Sequence, residues 1–154
     1  MRVRRHFSEN YGGLKTTMKG LFRGKRTDDY EWTEGYLFKI WNRTFLLWGM
    51  TNDVPNMVEV KPETVGQYTG LRDKNGKRIF EGDIVTPAIR TDDFYYEEVC
   101  IGNFDVGNHY GCYGVFTKSK TEYGYDNCLI DGDYREVVGN VYDTPKLLDR
   151  LYAL

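Results

Sequence analysis

Apolar and polar residues alternate along this chain in short runs, and Gly, Asn, Asp or Pro interrupts the runs about every ten residues. In residues 35–41, Tyr36, Phe38 and Ile40 fall on one face, with Leu37, Lys39 and Trp41 on the other. The run Thr-Phe-Leu-Leu-Trp-Gly at 44–49 returns the chain, so Asn42-Arg43 reads as a two-residue turn, although it lacks the usual Gly. A helix competes for this stretch, but two aromatic-rich segments joined at Asn42 favour a hairpin. The segment 28–31 reads as a turn, 51–56 as a loop, 57–60 as a short strand and Pro62-Glu63-Thr64 as one helical turn started by proline.

Residues 66–86 carry the strongest punctuation. Asp73-Lys74-Asn75-Gly76 is a turn: Asp73 can fold its carboxylate back onto the backbone, and Asn75 and Gly76 tolerate positive φ. Tyr68-Thr69 and Ile79-Phe80 flank it as β-compatible arms, and Gly82 re-aims the chain into Asp83-Ile84-Val85. Further strands are expected at 83–89, where Pro87 dictates an edge or bulge, and at 97–104, 113–118 and 135–143. Segments 91–96, 105–111 and 123–133 read as loops, with a hairpin-type turn at Asp131-Gly132. Thr144 and Pro145 predict a capped helix over 144–154, with Leu147, Leu148, Leu151 and Leu154 on one stripe.

The sum is mainly β: a small barrel or sandwich of short antiparallel strands with a short C-terminal helix. The piece Glu81-Gly-Asp-Ile-Val85 resembles the opening strand of SH3-like barrels, an expectation for the C-terminal half. One domain is expected over 18–154, with an N-terminal β part at 18–65, a barrel-like part at 66–143 and the helix after it. Residues 1–17 are polar and aperiodic and read as a flexible extension, with Met18 fitting as a natural start.

Composition changes this picture in two ways. Thirteen Tyr and 17 Gly in 154 residues reinforce turn-rich β-structure. The net charge of -2 hides an asymmetry: residues 1–26 hold eight Lys/Arg and one acid, and the remainder holds 13 bases against 22 acids. A basic end on an acidic body reads as a solvated leader ahead of a nucleic-acid arm. No apolar signal segment or membrane span is legible, so the expectation is a cytoplasmic protein without membrane contact. Three Cys without paired spacing fit reduced thiols.

Gln67-Tyr-Thr-Gly-Leu-Arg-Asp-Lys-Asn-Gly-Lys-Arg-Ile-Phe-Glu-Gly-Asp-Ile-Val85 resembles the signature of the YopX family, small proteins of bacteriophages, prophages and the bacteria carrying them. Leu21-Phe-Arg-Gly-Lys-Arg26 with Glu31-Trp32 and Gly35-Tyr36-Leu37 is similar to the family's opening. Val60 and Pro62-Glu-Thr-Val-Gly66 lead into the core motif. Glu136-Val-Val-Gly-Asn-Val-Tyr-Asp143 with Pro145 and Leu147-Leu148 is similar to its close. The resemblance implies no established activity and offers no catalytic residue to carry over.

Candidate chemistry is sparse. His109-Tyr-Gly-Cys112 has the spacing of two metal ligands, with Cys100 and Cys128 as remote additions, but no paired Cys spacing completes a zinc set. Cys112 beside His109 is a nucleophile only if the fold pairs them. Glu81 with Asp83, and the acids Asp92, Asp93, Glu97 and Glu98, are carboxylate candidates that more simply solvate turns and loops. Gly70 to Lys77 misses the phosphate-loop spacing by one residue and precedes a strand. No catalytic residue, cofactor or metal is therefore expected. The expected role is a non-catalytic interaction module that forms homo-oligomers, with an unidentified phage or host protein as a further partner. The alternative is a small nucleic-acid-binding protein using the basic N-terminus and Lys74, Lys77, Arg78 and Tyr68 at the hairpin.

Overall fold

The computed structural model describes residues 20–88, 92–105, 111–120, 127–128, 132 and 134–153. The chain divides into an N-terminal unit, Met1–Val65, and a C-terminal unit, Gly66–Leu154. The expectations for residues 1–17, for His109 and for Asp131 lie outside the described residues, as does the side chain of Cys128.

The N-terminal unit is an antiparallel meander of β1 (Phe22–Lys25), β2 (Trp32–Ile40), β3 (Arg43–Thr51) and β4 (Val54–Glu59). Register sets its faces, because directly paired residues project to the same side. Tyr36 faces Leu47, Phe38 faces Phe45 and Ile40 faces Arg43. On the opposite side Leu37, Leu46 and Val58 align, and Leu46 and Val60 are fully buried. The ends of β1 and β4 meet at an Arg26–Val60 bridge, with Lys61 N–H donating to Lys25 O (2.8 Å) and Thr27 N–H to Glu59 O (3.0 Å). A 3-10 turn at Pro62–Thr64 follows, and the Thr64 hydroxyl accepts Lys25 N–H while donating to Lys61 O.

Two of the three hairpin turns in this unit, those after β2 and β3, are tight two-residue loops. The first is Trp41-Asn42, one residue earlier than the expected Asn42-Arg43, because Ile40 pairs with Arg43. Its residues take φ 48 and 62, and those of the second, Asn52-Asp53, take φ 50 and 62. Two successive positive φ values match the right-handed twist of the flanking strands. The expected loop at 51–56 is thus a turn running directly into β4.

In the C-terminal unit, β5 (Gly66–Arg72) and β6 (Arg78–Phe80) form the expected hairpin. β7 (Asp83–Val85), β8 (Asp93–Phe94), β9 (Glu97–Asp105), β10 (Gly111–Lys118), β11 (Asn127–Cys128), β12 (Val137–Asn140) and β13 (Tyr152–Ala153) follow. Five of them form one sheet in the order β11-β10-β9-β7-β12, and β13 pairs with β8. Ile79, Val85 and Val99 make a buried cluster, with Leu71, Val115 and Val137 packed against it. Phe104 stacks on Phe116 at 5.0 Å.

Three further expectations change. The sheets are antiparallel but not closed into a barrel, and no SH3-like closure follows from the Glu81–Val85 piece. The segment expected as a loop at 91–96 contains β8. The C-terminal helix is only a 3-10 turn, Pro145–Asp149, before the chain extends into β13. Thr144 does not cap it: its hydroxyl accepts Asn140 N–H and donates to Asn140 O, tying the residue back to the preceding strand.

Candidate functional site

The β5–β6 turn is built around Asp73. One carboxylate oxygen accepts the N–H groups of Asn75 (2.8 Å) and Lys77 (2.9 Å), and the other accepts Val137 N–H (3.1 Å). Backbone bonds close the loop: Gly76 N–H to Asp73 O, Asp73 N–H to Lys77 O, and Lys74 N–H to Arg135 O. Of the two residues expected to tolerate positive φ, only Gly76 uses it, at φ 80. Burial pushes the Asp73 carboxyl up, but the N–H groups of Val137, Lys77 and Asn75 outweigh it and hold its pKa below the ordinary value.

The four residues expected at this tip separate into different roles. Lys74 is ion-paired to Glu136 at 2.6 Å. Arg78 lies over the Tyr68 ring at 5.9 Å, and Phe80 sits 5.5 Å from the same ring. Lys77 is exposed. The hairpin therefore uses part of its basic and aromatic chemistry internally.

The acidic candidates also have structural partners. Asp83 is buried, and one of its carboxylate oxygens accepts Phe80 N–H at 2.8 Å across the Gly82 turn. Glu97 is buried in an ion pair with Arg135, whose guanidinium also donates to Thr86 O at 3.2 Å. Thr117 donates to the same Glu97 oxygen at 2.9 Å. A buried pair of this kind requires several hydrogen bonds to offset desolvation, and here it has them. It fixes the approach to β12 beside β7 and β9. Sequence reasoning missed it, since 38 residues separate Glu97 from Arg135 and nothing local marks the pairing. Glu98 has a raised pKa, first through burial and then through repulsion from Glu81, opposed by the attraction of Lys118. Asp92 and Asp93 are exposed. Cys100 is half-buried and Cys112 exposed.

The N-terminal unit presents a different chemistry. Trp41, Trp48, Met50, Val54 and Met57 are exposed on its hairpins, and Ile40 borders on exposure. Trp32, in contrast, is covered by Arg23 at 4.7 Å and Lys25 at 5.5 Å. Arg43 lies over Phe45 at 5.1 Å and forms a two-pronged pair with Glu59. The exposed apolar set could not be read from sequence, because alternation places a residue on a face without saying whether that face is covered.

No helix among the described residues is long and apolar enough to cross a membrane. No curated protein matches this chain. A crystal structure of protein EF1440 from Enterococcus faecalis is similar at 21% identity, covering 82% of this chain and 96% of that one, with a TM-score of 0.39. A family profile described as YopX protein matches residues 21–149. With the match extending over most of its length, this chain belongs to the YopX family.

Proposed function

We propose that this protein is a non-catalytic interaction module that self-associates, acting in the cytoplasm as a phage- or prophage-type protein with a phage or host protein as a further partner. One observation carries the self-association: Trp41, Trp48, Met50, Val54 and Met57 are exposed within a single run of the N-terminal unit. Exposed apolar residues in this number on a small domain favour association, since covering them releases ordered water. Single exposed apolar residues are ordinary, but five large ones on two adjoining hairpins are not.

The test is sedimentation velocity across a dilution series. The mass is expected to exceed that of the 18.0 kDa chain and to fall on dilution. A constant 18.0 kDa at every concentration would overturn the reading. Exposed Lys77 and the Arg78–Tyr68 stack give the nucleic-acid alternative its footing. Retention of single-stranded nucleic acid on a filter at low salt, lost at high salt, would favour it.

A further inference from the structure

Trp41 occupies the first position of the two-residue turn between β2 and β3, with φ 48, and its side chain is 87% exposed. A bulky residue at positive φ is a steric outlier, and Asn or Gly fills such a turn position with less strain. The position therefore carries two costs, a left-handed backbone under an indole and an indole in water. The tight turn requires the positive φ at this position, but it does not require an indole there. Strain of this kind persists where the strained residue has work outside the fold.

The charges around the tip indicate what it meets. Residues 35–52 contain Lys39 and Arg43 and no Asp or Glu. Arg43 is engaged by Glu59, and Lys39 is exposed. The C-terminal unit holds ten Lys/Arg against fifteen Asp/Glu, and Asp92, Asp93, Asp105 and Asp143 are among its exposed acids. A tip that exposes Trp41 and Lys39, with Glu59 balancing Arg43, and a C-terminal unit with exposed acids occur on the same chain.

Resting on the self-association proposed above, we infer that the Trp41 tip is the anchor of that contact and docks on the acidic C-terminal unit of a second copy. The indole supplies the desolvated contact typical of an interface hot spot, and Lys39 supplies the charge match.

Full-length Trp41→Asn separates this role from a structural one, because Asn suits the turn better than Trp does. At a dilution where the wild type is monomeric, the variant is expected to melt at the same temperature as wild type or higher, while at higher concentration its association is weaker by about tenfold or more. Lys39→Glu is expected to weaken association as well, and added salt to weaken that of the wild type. Undiminished association of Trp41→Asn would overturn the anchor and leave self-association standing. A wild type that stays monomeric would overturn both. A lowered melting temperature for Trp41→Asn at the monomeric dilution would assign the indole to packing within its own chain. Association that depends on Trp41 but not on salt or Lys39 would overturn the acidic acceptor.

Discussion

Three backbone N–H groups converge on the Asp73 carboxylate, two from its own turn and one from β12, so replacing it leaves three donors without their acceptor. Asp73→Ala is expected to cost about 2–4 kcal/mol by chemical denaturation near neutral pH. The pH dependence follows from the depressed pKa. The charged form is favoured in the folded state, so this stability is present above the ordinary value of 3.8 and is lost as pH falls through the lower folded value. The gap between wild type and Asp73→Ala should therefore narrow on acidification, and a constant gap would assign the loss to packing. Gly76 tests the turn differently. A Cβ there would meet nothing within 4 Å, so the cost expected of Gly76→Val comes from φ 80 rather than from a clash at Cβ. About 1–3 kcal/mol is expected, and a neutral result would show that the turn relaxes freely.

Among the elements, β9 sets Glu98 opposite Lys118 and Ile84. Burial disfavours the charged carboxylate, so its folded pKa is raised above the unfolded value. The sign is opposite to that of Asp73: stability is greatest below the unfolded pKa and falls as pH rises through the folded one. Glu98→Gln should raise the melting temperature at neutral pH, with the gain disappearing in acid. A gain that persists in acid would mean that charge is not its source. At the C-terminus, Leu147 lies against Gly139, whereas Leu151 is 50% exposed. Leu151→Ala should consequently change stability by no more than about 0.5 kcal/mol, measured by denaturant titration. The Thr-Pro start and leucine stripe suggested more, because both are helix signals in isolation. The Thr144 hydroxyl was instead taken by Asn140, and the chain left the first turn to pair with β8. Turn chemistry was legible where it is local, as at Asp73–Gly76. It was displaced by one residue at Trp41, where the residue type opposes its own conformation. The Arg135–Glu97 pair and the exposed apolar hairpins depend on which strands become neighbours, information that is not local.

Across the whole molecule, composition is uneven between the units. The three Trp residues are 32, 41 and 48, all in the N-terminal unit, and the C-terminal unit contains none. Trp32 lies against Arg23 and Lys25, Trp48 is half exposed and Trp41 stands in water. Nature has thus placed an optical label on one unit only. Indole emission during denaturation will report the N-terminal unit, while far-ultraviolet circular dichroism will report the strands of both. Superimposable curves would mean that the units unfold as one cooperative body. Curves with separate midpoints would give each unit its own stability, measured in the unmodified chain without cutting it in two.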